Sequence, residues 1–341
     1  MKAVVASEPA PGTAEGAAVS GSGSAPSRVA VLVPCFNEAT TIGQVVEGFR
    51  SSLPAATIYV YDNNSEDGTG AVAVAAGATV RSVPLQGKGH VVRRMFCDVE
   101  ADVYVLVDGD ATYDASAAGR LVGILLEGGY DLVNGARVED DASAFRAGHT
   151  LGNQILAGLV RWIFRRPSGD MLSGYKVFSR RFVKSFPSLA RGFEIETELT
   201  IHALDLDMPM TEVALPYGTR PEGSASKLRT YSDGVRVLRT IANLVRSERP
   251  LAFFAAVASL FTLVSVVLSV PLISTFLRTH TVPRFPTAIL VTGLMVLAFL
   301  CVTSGLILDT VTRGRREAKL LRYLAVPGPL SIDEPRPTGT D

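Results

Sequence analysis

The sequence has few of the residues that cross-link or metallate small domains. Its three cysteines, Cys35, Cys97 and Cys301, are widely spaced and odd in number. They give no disulfide framework and no zinc pattern, and read as reduced, small hydrophobic side chains. Net charge is absent: 33 Lys and Arg balance 33 Asp and Glu, which argues against a general nucleic-acid binder. No G-x-x-x-x-G-K-[ST] loop occurs, which excludes the Walker type of phosphate site. No G-x-G-x-x-G follows the first predicted strand, which argues against a dinucleotide dehydrogenase. Residues 1–27, rich in Ala, Gly, Ser and Pro, lack a long apolar run, and Glu8 and Pro9 interrupt the one candidate. This segment reads as a disordered tail, neither a signal peptide nor a membrane span. No internal repeat is visible.

What the chain has in excess is hydrophobicity. Of its 341 residues 47% are hydrophobic and 19% charged, and the mean hydropathy is +0.27. Those values are high for a soluble enzyme and point to membrane segments. Leu251 to Leu277 and Phe285 to Leu308 carry no charged side chain. Each run exceeds the ~20 residues that a helix needs to cross the hydrocarbon core. Only "RTHTVPR" separates them, so an antiparallel hairpin is predicted over residues 250–312. Arg239, Arg246 and Arg249 precede it, and Arg313, Arg315, Arg316, Lys319 and Arg322 follow, whereas the turn holds only Arg278 and Arg284. The heavier basic flanks place both ends, including the tail 313–341, in the cytoplasm. Residues 227–249 carry Leu228, Tyr231, Val235, Leu238, Ala242 and Val245 at steps of three and four, with Lys227, Arg229 and Arg236 off that stripe. The pattern predicts an amphipathic helix at the bilayer surface or packed on its own domain.

Residues 28–226 read as an α/β domain. Strands are predicted at Arg28–Pro34, Thr57–Tyr61, Thr79–Val83, Val103–Val107 and Asp131–Asn134. Helical patterns over 41–52, 68–76, 88–100 and 116–127 alternate with them, the signature of a mainly parallel sheet covered on both faces. Ligands of such sheets collect at the carboxyl ends of the strands. Three polar motifs fall there: "PCFNE" after the first strand, "DNNSEDGT" after the second and "DGDATYD" after the fourth.

Asp108 and Asp110 flank a glycine, and a turn at Gly109 brings both toward one ion. Two hard oxygen donors suit Mg2+ or Mn2+ shared with a diphosphate. Asp114 precedes a helical run and reads as its N-cap. A carboxylate at Asp62 can accept from the N–H of a uracil or a guanine, and Glu38 from ribose hydroxyls; a turn with Ser65 or Asp67 as helix cap accounts for the same stretch. Lys88, between two glycines at a helix start, is placed to attract phosphate. In "YGTRPEGSASKL", Arg220, Ser226 and Lys227 can clamp a lipid phosphate beside the membrane. Asp170, Glu194, Glu196 and Glu198 add carboxylates, for most of which a structural role is expected.

In this order, "VLVPCFNE", "DNNSEDGT", "GKG", "VDGDATYD", "NGAR", "SGYKVFSR", "FEIETEL" and "RPEGSASKL" resemble the motifs of glycosyltransferase family 2. The nearest branch is the polyprenyl-phosphate glycosyltransferases, which include the dolichyl-phosphate mannosyltransferases. The resemblance implies a GT-A fold, a nucleotide-sugar donor (UDP-hexose or GDP-mannose), a divalent metal (Mg2+ or Mn2+), a polyprenyl-phosphate acceptor and inversion at the anomeric carbon. It implies donor-nucleoside contacts at Pro34, Glu38 and Asp62, a metal and diphosphate site at Asp108 and Asp110, and phosphate contacts at Arg137, Arg220, Ser226 and Lys227. Asp110, Arg220 and Lys227 are the expected catalytic groups. Where many mannosyltransferases continue D-A-D-x-Q, this chain has Thr112, which leaves a third metal or phosphate contact and the sugar open. The Q-x-x-R-W motif of processive polysaccharide synthases is missing. The same carboxylates would also serve a nucleotidyltransferase or a sugar-phosphate enzyme, or persist in a non-catalytic membrane adaptor. Assembly into a homo-oligomer is left open.

Overall fold

A computed structural model describes residues 28–138, 158, 170–188, 192, 194–218 and 246–329. The tail 1–27, most of the predicted amphipathic helix, and Arg220, Ser226 and Lys227 lie outside the described residues. Seven strands and eight α-helices are seen among those described. In chain order they are β1 (Val29–Cys35), α1 (Ile42–Ser52), β2 (Thr57–Asp62), α2 (Thr69–Ala75), β3 (Thr79–Ser82), α3 (Lys88–Asp98) and β4 (Val103–Leu106). There follow α4 (Ala118–Gly128), β5 (Leu132–Val138), β6 (Lys176–Ser179), α5 (Arg180–Ser185), α6 (Ile195–Asp205), β7 (Met210–Pro216), α7 (Pro250–Thr279) and α8 (Phe285–Leu324). A short 3-10 turn, Ala115–Ala117, precedes α4, and Asp114 caps it by accepting from the Ser116 N–H at 2.8 Å.

The strands form one sheet in the order β3-β2-β1-β4-β6-β5-β7. Only β6 runs against its neighbours, β4 and β5; the other pairings are parallel. Strand alternation divides the core in two. From β1, Leu32 faces one layer with Val92 and Met95 of α3, Phe182 of α5 and Leu199 of α6. Val31 and Val33 face the other, with Ile42, Val46 and Phe49 of α1 and Leu121 and Leu125 of α4. The i, i+3, i+4, i+7 spacing of Ile42, Val45, Val46 and Phe49 is why this segment forms a helix and which face it buries. Strands β6 and β7 were not among the predicted ones. β6 is four residues long and begins with a lysine; β7 alternates only at Val213 and Leu215 and ends on Pro216 at the sheet edge.

Lys176 is a buried cation on the face of β6 that carries Phe178. Its ammonium donates to Asn134 Oδ1 at 2.6 Å and Thr200 Oγ1 at 3.3 Å, both neutral. Burial pulls its pKa down to about 8, against the opposing influence of Asp170, Glu196 and Glu212.

The last two helices stand apart from this core. Both are long and apolar enough to cross a membrane, and only 11% and 6% of their most apolar windows are buried. Leu277 and Phe299 are 70% and 72% exposed, which sets them apart from core helices of a soluble protein. The pair is antiparallel: Ser265 donates to the Val291 carbonyl at 3.1 Å, and Gly305 lies against Phe254 and Leu251. A Cβ at Gly305 would lie 3.1 Å from Phe254 Cβ, so glycine permits the close approach.

With 40 residues, α8 is about 60 Å long, twice the ~30 Å hydrocarbon thickness. Its charged extension returns to the α/β domain. Lys319 pairs with Asp205 at 3.1 Å and Arg316 with Asp207 at 3.2 Å, both at the end of α6. Farther on, the Tyr323 hydroxyl donates to Asp131 at 2.7 Å. Asp131 is fully buried, accepts from Ser179 at 2.6 Å and is chelated by Arg181 at 2.5 and 2.7 Å. The Arg181 guanidinium also stacks 4.7 Å from the Tyr323 ring centroid. Tyr323 thereby joins the core layer of α3, α5 and α6.

Two predictions follow from this packing. Asp131→Asn leaves the buried end of Arg181 without a counter-charge and is expected to cost about 3 kcal/mol, read as a several-degree fall in Tm of the detergent-solubilised protein. The second concerns Lys176, whose pKa is lower folded (about 8) than unfolded (10.5). The unfolded chain therefore binds its proton more tightly between those values, and stability rises as pH passes from about 8 toward 10.5. The Tm difference between wild type and Lys176→Met should hold steady below pH 8 and shift in favour of the wild type above it.

Candidate active site

The site is built from three turns at the carboxyl ends of β1, β2 and β4. The first two are laced together. Asn37, in left-handed backbone at φ 51, donates from its N–H to Ser65 Oγ at 2.9 Å and accepts from the Glu66 N–H at 2.9 Å. The Glu38 N–H donates to Thr69 Oγ1 at 2.8 Å, and the Ala39 N–H to Asp67 at 2.9 Å. Asp67 also accepts from the Thr69 N–H at 3.0 Å, but the cap position of α2 belongs to Gly68, in left-handed backbone, with no side-chain cap bond, so neither Ser65 nor Asp67 is the N-cap the turn reading expects. Asp62, beside Cys35 in register, accepts from the N–H and hydroxyl of Ser65. Asn63 is structural: its amide donates to the Val83 and Leu85 carbonyls and accepts from the Gly87 N–H, tying the second turn to the start of α3.

The acidic turn after β4 is locked onto the first. Thr41 Oγ1 donates to the Gly109 carbonyl at 2.7 Å. A Cβ at Gly109 would sit 2.5 Å from Glu38 Oε2 and 2.8 Å from Cys35 Sγ, so a larger residue there would have to displace these side chains. Burial, then the negative field of Glu38, Asp62 and Asp108, pushes the Cys35 thiol pKa well up. That field records how closely the three carboxylates gather. Asp108 lines a cavity of about 560 Å³ together with Gln44, Phe49, Thr112, Asp114 and Gly218. Asp110 lies deeper, 5% exposed, and its Oδ1 accepts from the Thr112 hydroxyl at 2.6 Å. Thr112, in place of the glutamine familiar in related motifs, thus fixes Asp110.

Lys88 enters from the first residue of α3. Its ammonium is bonded to two carboxylates, Asp108 and Glu196, and its side chain is 9% exposed. Burial alone would lower its pKa; Asp108 and Glu196 reverse that and raise it far above the lysine range. Burial pushes the Glu196 carboxyl up, against the pull of Lys88. Gly174, before β6, makes room for this group, because a Cβ there would collide with the Asp108 carboxylate.

Arg137, at the end of β5, is held by Asp170 in a two-pronged pair at 2.6 and 2.9 Å, with its guanidinium 5.5 Å from the Tyr217 ring. Tyr217 bridges to Tyr113 of the acidic turn, and the Gly218 N–H donates to the Thr112 carbonyl at 2.9 Å. The acidic turn and the segment leading to Arg220 therefore share a hydrogen-bonded edge. The structure places Pro34, Glu38, Asp62, Asp108 and Asp110 at or after the carboxyl ends of the neighbouring strands β2, β1 and β4 and bonds Lys88 to Asp108, whereas Arg137 lies on β5, separated from β4 by β6.

Sequence reasoning left Glu196 unresolved among three glutamates. Its signal was positional: Glu196 and Thr200 are polar at i, i+4 on a helix in which every residue from Ile195 to Asp205 except Glu198 is buried. Among the described residues no three His, Cys, Asp or Glu side chains are grouped to hold a metal ion. The donor set fits a hard divalent cation that takes one or two carboxylates, from Asp108 and Asp110, and completes its shell with phosphate and water.

Comparisons with known proteins agree with this geometry. The family model described as Glycosyl transferase family 2 matches residues 30–184. The chain is similar to glycosyltransferase AglJ of Haloferax volcanii, 33% identical over 234 residues, which span 68% of this chain and 77% of AglJ. It is similar to a dolichyl-phosphate hexose transferase of the same organism, 24% identical over 65% of this chain and 95% of that one. Among solved structures it is similar to glucosyl-3-phosphoglycerate synthase from Mycobacterium tuberculosis in complex with Mn2+, uridine diphosphate and glucosyl-3-phosphoglycerate. The TM-score there is 0.53 and the identity 25%, over 64% of this chain and 79% of that one. The sheet, parallel except for β6, is of the GT-A type those enzymes share, and the chain belongs to glycosyltransferase family 2.

Proposed function

We propose that this glycosyltransferase is anchored in the membrane by α7 and α8 and moves a hexose from a nucleotide sugar to a polyprenyl phosphate, with inversion at C1. The observation that carries the proposal is the joining, in one chain, of the acidic site at the strand ends with an exposed apolar hairpin whose extension is fastened to the same domain. Kinship with a dolichyl-phosphate hexose transferase supports the acceptor class, and the Mn2+ and UDP held by the mycobacterial neighbour support a metal and a nucleotide donor. The basic flanks of the hairpin support a catalytic domain facing the cytoplasm.

The site residues take the following roles in this proposal. Pro34, Glu38 and Asp62 bind the nucleoside, with Asp62 held in place by Ser65. Asp108 and Asp110 would hold Mg2+ or Mn2+, and the ion would supply positive charge against the diphosphate leaving group. Lys88 keeps a positive charge at the same edge, and Arg137 offers Nη1, the guanidinium nitrogen not bonded to Asp170. Arg220, Ser226 and Lys227 clamp the acceptor phosphate. That phosphate is anionic near neutral pH and needs no strong base: one of its oxygens bonds to C1 as the C1–oxygen bond to the nucleoside diphosphate breaks. The protein's share is alignment and charge complementarity. Anchoring adds to this by keeping the site where the headgroup lies.

The test is to incubate purified protein with polyprenyl phosphate, Mg2+ or Mn2+ and a panel of nucleotide sugars, and to weigh the lipid product. A lipid heavier by one hexose is expected with one donor class. No glycolipid with any donor would reject the proposal, and turnover of nucleoside triphosphates in its place would support the nucleotidyltransferase alternative. Asp108→Asn and Asp110→Asn are each expected to lower kcat/KM by about 100-fold or more with the circular dichroism spectrum unchanged. Product formed equally well in excess chelator would remove the metal from the mechanism.

A further inference from the structure

Lys88 and Glu196 form a buried pair that the transfer chemistry above does not explain. An ammonium beside Asp108 competes with any cation for that carboxylate. If Lys88 met Asp108 alone, the two would neutralise each other and the turn would hold a divalent ion poorly. Glu196 changes this balance. It sits in the first turn of α6, where the helix end favours a carboxylate, and its side chain is 7% exposed. It takes a second hydrogen of the same ammonium. The group of two carboxylates and one ammonium then carries a net charge of one negative unit, with Lys88 and Glu196 buried and Asp108, 29% exposed, at its open side. A net charge held there is costly until another cation joins it. Its surroundings keep Glu196 in place: Thr200 on the next turn of α6 donates to the Glu196 carbonyl at 3.2 Å and receives Lys176 at 3.3 Å.

We propose that Glu196 is a positioning residue that sets the divalent-cation affinity of Asp108 by sharing the Lys88 ammonium. The proposal deepens the metal-dependent reading above and rests on it. It makes a prediction of sign. Removing the charge of Glu196 leaves Lys88 wholly to Asp108, and cation binding weakens. Removing the charge of Lys88 leaves the carboxylates uncompensated, and cation binding strengthens, although phosphate attraction is lost. A purely structural pair would lose affinity in both variants.

The experiment measures Mn2+ binding to the full-length protein in detergent by electron paramagnetic resonance of free Mn2+, with no donor or acceptor present. Glu196→Gln is expected to raise the Mn2+ Kd by roughly tenfold or more, since tenfold is the scale of losing one unit charge about 6 Å from a divalent ion even at the dielectric constant of bulk water. Lys88→Gln is expected to lower the Kd. Glu196→Asp, which keeps the charge, should stay within about threefold of wild type; if Glu196→Gln does not fold by circular dichroism, Lys88→Gln carries the test, and a Kd that is unchanged or raised in it would overturn the inference. An unchanged Kd in Glu196→Gln with kcat collapsed would mean that Glu196 acts on the substrates directly, and would overturn the inference alone. Weakened binding in both Glu196→Gln and Lys88→Gln would overturn it as well. Wild-type protein that binds no Mn2+ would overturn the metal-dependent reading itself, and this inference with it.

Discussion

Negative charge gathered at the mouth of a hydrophobic strand has to be answered by positive charge, and much of this domain is arranged around that requirement. β4 is apolar and buried throughout, yet it delivers Asp108 and Asp110 to its carboxyl end. The neighbouring turns add Glu38 and Asp62 to the same field. Lys88 answers part of it from within the protein, and Glu196 limits how far that answer reaches. At the glycines 109 and 174 a Cβ would meet carboxylate oxygens, of Glu38 and Asp108 respectively. The acidic turn and the bare backbone beside it are one feature seen from two sides.

The turns are joined where chemistry needs position. The side chains of Asn37 and Asp67, both exposed, and of buried Asn63 bond from one turn to the next, which ties the loops at the strand ends to one another. Thr112 does the same for Asp110. A hydroxyl in that place gives the buried carboxylate a fixed partner two residues away. Beyond it, the contact of Tyr113 with Tyr217 ties the acidic turn to the edge strand.

The parts legible in the sequence were those with a strong local pattern. The five predicted strands and the helices between them were marked by apolar runs and by 3.6-residue periodicity, and all appear within a few residues of their expected ends. The hairpin was visible as two uncharged runs. β6 and β7 were hidden, because β6 is too short to show a period and carries a lysine where a buried strand should be apolar. The site was legible where it follows a strand, as for Asp62 and Asp108. It was illegible where long-range pairing defines it: nothing local ties Lys88 to Glu196, Arg137 to Asp170 or Tyr323 to Asp131, partners separated by 108, 33 and 192 positions. Such contacts belong to the tertiary fold, and the sequence records only that charges exist to be paired.

The extension of α8 has a geometric consequence. The α/β domain is joined to the hairpin by the chain that leads into α7, and a second time by Lys319, Arg316 and Tyr323 reaching back to α6, α5 and the start of β5. Two attachments on one body close a ring, and a closed ring removes the swivel that a single tether would leave. Helix α6 spans the distance between Glu196 at the site and Asp205 at the second attachment, about 14 Å of continuous backbone hydrogen bonding. The carboxylates at the strand ends are therefore carried at a set bearing to the long axis of α8, like an instrument bolted to its mast at two points.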